Sequence, residues 1–106
     1  MKKVVYNACF GGFSISKKCA QFMADRGNTE AIDMIDNVGE RWHGRLWDTP
    51  RHDAILIMAV EALGSEASDD MSDLAVRELK GNRYIIDEYD GSESVVEPHN
   101  IQWIKI

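Results

Sequence analysis

Apolar side chains stand on both faces of the alternating run that opens the chain. Val4, Tyr6, Ala8 and Phe10 share one face, and Val5, Asn7 and Cys9 share the other. Such a strand has no side to give to water, so it must lie in the interior with the rest of the chain covering it. The run stops at Gly11-Gly12. Phe13 and Ser14 follow, and then Ser16, a good N-cap for a helix over about 17–26. Ile15, Cys19, Phe22 and Met23 fall on one side of that helix, and Gly27 with Asn28 suits its stop.

Two glycines between a strand and a helix let backbone N–H groups approach whatever lies above them. The helix N-terminus adds partial positive charge at the same place. Gly11, Gly12, Phe13 and Ser14 are therefore candidate ligand residues for an anionic small molecule. A tight turn that binds nothing has the same sequence.

Ile32, Ile35 and Val38 fit one face of a short helix ended by Gly39, and Trp42, Leu46 and Trp47 follow in an irregular stretch, where the two tryptophans suit a satellite core more than ligand stacking. Asp53 is an N-cap for the apolar run 54–63, which Gly64 ends. A helix apolar on most sides is expected between other layers. After it, Leu74–Leu79 alternates, Lys80-Gly81-Asn82 reads as a hairpin turn, and Arg83–Tyr89 alternates again. Asp90-Gly91 is a type I′ pair before a strand over 94–97. Pro98-His99-Asn100 breaks the chain ahead of a last strand, 101–106. The order predicts a single α+β domain, a mostly antiparallel sheet with two to three helices packed on one face.

The net charge of −6 argues against broad contact with DNA or RNA, which needs a basic face. It leaves room for a small phosphate ligand held by a few local cations. No apolar run reaches the ~20 residues of a membrane span, and MKKVVYNACF is too short and polar for a signal peptide. Cys9 and Cys19 read as reduced thiols in a cytoplasmic protein, one on the first strand and one on the first helix.

Arg51 stands beside the cap at Asp53, where a guanidinium can grip phosphate in bidentate fashion or pair with Asp53 or Glu40. Around Asp90-Gly91 lie Asp87, Glu88, Tyr89 and Glu93, with Glu97, His99 and Asn100 downstream. These groups suit ribose hydroxyls or a metal, or simply a solvated turn. Their spacing is not that of a calcium loop, and His43, His52 and His99 form no zinc pattern, so no metal and no cofactor is expected. The glycine pair lacks the lysine-serine ending of a phosphate-binding P-loop, and no dinucleotide fingerprint appears. Binding therefore outranks catalysis.

Three segments, VVYNACFGGFSIS, PRHDAILIMAVEALGSEAS and YIIDEYDGSESVVEP, resemble in order the phage-borne type I Thoeris anti-defence family. The resemblance covers about two-thirds of the chain. It implies a sponge that binds a cyclic ADP-ribose isomer made from NAD after infection, keeps it intact and starves the effector. It also implies a homodimer with two pockets near the subunit boundary, and in some members a hexamer that holds cyclic trinucleotides. The glycine turn and Arg51 then suit the pyrophosphate, Phe13, Tyr84 or Tyr89 the adenine, and Glu88, Glu93 or Glu97 the ribose. Two departures stand out. The family relies on arginines toward its C-terminus, whereas none follows Arg83 here, and the stretch 29–49 matches nothing in it. Trp103 on a terminal edge strand also favours coverage by a second copy. The rival functions are an acidic protein that inhibits a defence enzyme by contact, and an enzyme that degrades the signal.

Overall fold

The computed structural model describes residues 2–101 and 104–106. Its elements run β1 (Lys2–Asn7), α1 (Lys17–Asp25), α2 (Thr29–Asp36), α3 (Ala54–Leu63), β2 (Leu74–Leu79), β3 (Ile85–Tyr89) and β4 (Ser92–Val96). This is the expected α+β class, but the strands form two antiparallel ladders, β1 with β2 and β3 with β4, rather than one sheet. Short 3-10 turns follow α3 and β4, over Gly64–Ala67 and Pro98–Asn100.

Side-chain caps start all three helices. Ser16 accepts from the Cys19 N–H, Asn28 from Ala31 and Asp53 from Leu56. Asn28 is thus the start of α2 rather than the stop of α1, which ends at Asp25 with Arg26 as its C-cap, before Gly27 at φ 91°. The second helix ends at Asp36, with Asn37 as its C-cap, ahead of Gly39.

Val5, Ile15, Cys19, Met23, Leu56, Ala59 and Leu74 pack into one core, with Val76 and Phe22 against it. Val4 and Val95 are buried outside that cluster, so β1 carries buried residues on both faces, as its sequence requires. The edge of β1 away from β2 is closed as well. The Val5 N–H donates to the Arg51 carbonyl, and the Asn7 N–H donates to Glu93 Oε1. The strand ends at Asn7, so Ala8, Cys9 and Phe10 lie beyond it, and Ala8 and Phe10 are exposed rather than interior. Cys9 is half-buried, whereas burial pushes the Cys19 thiol up to about 12 and makes it an inert core group.

Three local expectations are corrected. The third helix buries one face only, because Met58 and Ala54 face water. Lys80-Gly81-Asn82 does not join paired strands, since β2 pairs with β1 and β3 with β4. Instead Lys80 and Gly81 both donate their N–H groups to the buried Glu97 carboxylate, at 2.9 Å each. Ile101 and residues 104–106 carry no strand, and Trp103 lies outside the described residues.

The Gly81 N–H holds the Glu97 carboxyl below its usual range. Burial opposes this, and the Lys80 N–H, His99 and Arg77 reinforce it. A carboxyl whose folded value is depressed contributes stability that is present above its unfolded value and lost as pH falls through the folded one. Urea midpoints at pH 7 and pH 3 should therefore differ less in Glu97→Gln than in the unaltered protein. An equal pH response would contradict this role for Glu97.

Candidate functional site

A cavity of about 860 Å³ opens between three irregular segments and one hairpin. Its walls come from Gly11–Ser14, Arg41–Trp47, Asp69 with Met71, and the β3–β4 turn with Glu88, Gly91 and Glu93. Arg51 completes it from the approach to α3. This volume suits a nucleotide-sized molecule.

The side that joins Gly11–Ser14 to the hairpin rests on Asn7, which is fully buried. Its Nδ2 donates to the Cys9 and Gly91 carbonyls, and its Oδ1 accepts from the Asp73 N–H. One amide thereby ties the glycine loop, the hairpin tip and the entry to β2 together. The hairpin turn has the positive φ values of a type I′ turn at Asp90 (51°) and Gly91 (89°).

The two loop glycines play different parts. A Cβ at Gly11 would stand 1.8 Å from the Met71 carbonyl oxygen, so the close approach is to the chain's own backbone. A Cβ at Gly12 would meet nothing within 4 Å, and glycine is needed there for its φ of 105°. Gly11→Ala should therefore lower the urea midpoint more than Gly12→Ala, because Met71 must move. Equal losses would mean that the loop yields freely.

No first-turn residue of α1 lines the cavity. Ser16 bonds instead to the 3-10 turn after α3, through the Glu66 and Ala67 carbonyls. The helix-end charge expected at the glycine turn is thus directed elsewhere.

Arg51 has its partner inside the protein. Its guanidinium grips Glu93 with both nitrogens, Nη1 to Oε1 at 2.5 Å and Nη2 to Oε2 at 2.9 Å. The same guanidinium lies 3.6 Å from the centre of the Phe13 ring. Glu93 is 8% exposed, so the pair is largely desolvated. Neither Asp53 nor Glu40 is that partner. The other cavity carboxylates also have donors: Glu88 accepts from the Gly91 N–H, and Asp69 from the Ser14 hydroxyl and the Met71 N–H.

The cations left over are Arg41 and Arg45, neither of which has an ion-pair partner among the described residues. Arg45 lies 4.5 Å from the centre of the Trp47 ring, and Trp42 donates its indole N–H to the Ile15 carbonyl. The stretch 41–47 thus supplies free positive charge and aromatic surface to a wall whose acids are already hydrogen-bonded.

Of the residues singled out from sequence, Gly11, Gly12, Phe13, Ser14, Arg51, Glu88 and Glu93 come together in this cavity. The others lie elsewhere. Asp53 caps α3, and Tyr84 bonds to His52 Nδ1 at 2.8 Å. Tyr84 and Glu97 line a separate groove of about 280 Å³. Tyr89 points to solvent at 78% exposure. Asn100 accepts from the Glu97 N–H, and His99 sits 3.8 Å from the Glu97 carboxylate. Arg41 and Arg45 escape a reading of the sequence because no periodicity marks them, their signal being their interleaving with two tryptophans; of those, Trp42 packs against the core, as expected, and both also line the cavity. No group of three or more acids, histidines or cysteines suited to a metal occurs among the described residues. Among the described residues, no helix is long and apolar enough to cross a membrane. The chain matches no family model, no curated protein and no solved structure.

Proposed function

We propose that this chain sequesters a cyclic nucleotide signal, a cyclic ADP-ribose isomer first and cyclic oligonucleotides second. It holds the molecule intact and so blocks a host defence that the signal would trigger. The observation that carries this reading is the cavity wall with two unpaired arginines, Arg41 and Arg45, beside Trp42 and Trp47. A pyrophosphate suits the arginines, and a purine suits an aromatic face, where stacking contributes about 1–3 kcal/mol. The acids Asp69, Glu88 and Glu93 already accept hydrogen bonds from the protein, which favours holding a ligand over turning it over. The sequence resemblance to type I Thoeris anti-defence proteins points the same way. In this reading the protein needs no cofactor, works in the host cytoplasm, and assembles as a homodimer that can extend to a hexamer.

The test is a thermal-shift screen against NAD-derived and cyclic oligonucleotide signals. A ligand at 100 times its dissociation constant should add about 2.7 kcal/mol of stability. No shift with any of them would turn attention to the second reading, an acidic inhibitor that binds a defence enzyme directly. That reading draws on Phe10, Trp47 and Met71, large apolar side chains exposed at or beside the cavity.

A further inference from the structure

The wall formed by Arg41–Trp47 belongs to no helix or strand, so its backbone groups need partners outside regular structure. It is fastened at two places. At one, Ile15 donates its N–H to the Gly44 carbonyl and accepts from the Trp42 indole. A Cβ at Gly44 would strike the Ile15 carbonyl at 1.9 Å, so the two backbones touch there.

At the other, three successive backbone N–H groups converge on the Glu30 carboxylate. Trp47 and Asp48 donate to Oε2 at 2.6 and 2.9 Å, and Thr49 donates to Oε1 at 2.8 Å. Such a run of N–H groups is an anion nest, here filled by the protein's own side chain. Partial burial opposes the charge on Glu30, but the Thr49 hydroxyl and the three N–H groups outweigh it and hold the carboxyl below its usual range. Charge-assisted bonds of this kind are about twice as strong as neutral ones. Asn28, the cap of α2, adds a bond from Nδ2 to the Thr49 hydroxyl at 3.2 Å. The first turn of α2 is thus built around this segment.

We infer that Glu30, which lines no part of the cavity, is the positioning residue that holds the Arg45–Trp47 wall in place across it. Fixing the Trp47 backbone fixes the ring against which the Arg45 guanidinium lies. The consequence for ligand affinity rests on the sequestration reading, whereas the fastening itself does not.

Amide hydrogen exchange in the folded Glu30→Gln protein tests the fastening without any ligand. Protection of the Trp47, Asp48 and Thr49 amides should fall at least about 10-fold while that of the β1–β2 ladder stays unchanged. Affinity for a cyclic ADP-ribose isomer, measured by calorimetry on the same variant, should fall about 10-fold, or 1.4 kcal/mol. Unchanged protection at 47–49 would overturn the fastening, and lost protection with full affinity would overturn the positioning role. If Glu30→Gln does not fold, the unaltered protein decides. Scalar couplings across the hydrogen bonds from the three amides to the Glu30 carboxylate are then expected, and their absence overturns the inference. Failure of the unaltered protein to bind the cyclic ADP-ribose isomer would count against sequestration and leave the exchange result standing by itself.

Discussion

Replacing Arg51 with alanine should destabilise the fold by about 3 kcal/mol, near the lower end for breaking a buried ion pair because Arg51 keeps some contact with water. The substitution strands Glu93, which is 8% exposed and whose carboxylate also accepts the Asn7 N–H at the edge of β1. It removes the guanidinium from the Phe13 ring as well. The sequence alone suggests the opposite, a phosphate-gripping arginine whose loss harms binding more than folding. The internal fork with Glu93 is the physical reason for the reversal. Urea denaturation of Arg51→Ala, Glu93→Gln and the double variant measures it. The double variant should be more stable than Arg51→Ala alone, since no buried charge is left unpaired. A loss below about 1 kcal/mol in Arg51→Ala would place the pair among screened surface contacts.

The opposite balance is expected for Arg41 and Arg45. Both side chains are exposed and neither is ion-paired among the described residues, so the fold should lose only about 0.5 kcal/mol from alanine at Arg41. Arg45 should cost somewhat more, about 0.5–1 kcal/mol, because it lies over Trp47. Each charged contact to a phosphate contributes about 1.5–3 kcal/mol to binding. Arg41→Ala/Arg45→Ala should therefore bind a cyclic ADP-ribose isomer at least about 100-fold more weakly with its melting temperature nearly unchanged. Calorimetric titration of the folded variant checks it. Unimpaired binding would remove this wall from the site.

The parts of the fold legible in the sequence are those decided within a few residues. Ser16 and Asp53 cap the helices expected of them, and Asp90-Gly91 makes the hairpin turn. The two-faced β1 is covered on both sides as its composition demands. What escaped depends on partners far along the chain. Lys80-Gly81-Asn82 has the composition of a hairpin turn, yet the N–H groups of Lys80 and Gly81 go to Glu97, and β2 takes its partner from the start of the chain. Asn28 suits a helix stop and a helix start equally, and its bond to Ala31 decides for the start. The site divides in the same way. Gly11–Ser14 is one local motif and stays together, whereas Glu93 reaches Arg51 across 42 positions, and no spacing rule announces that pairing. The stretch 41–47 lacks periodicity because it forms a wall through bonds to Ile15 and Glu30 rather than a helix or a strand.

Sequestration is tested most directly by recovery of the ligand. The folded protein is incubated with a cyclic ADP-ribose isomer, freed of unbound molecules and denatured by heat, and the supernatant is resolved by chromatography. The expected result is stoichiometric release of the unaltered cyclic molecule, with release lost in Arg41→Ala/Arg45→Ala. Release of a cleaved product would make the protein an enzyme, and the absence of any retained nucleotide would contradict sequestration of this signal.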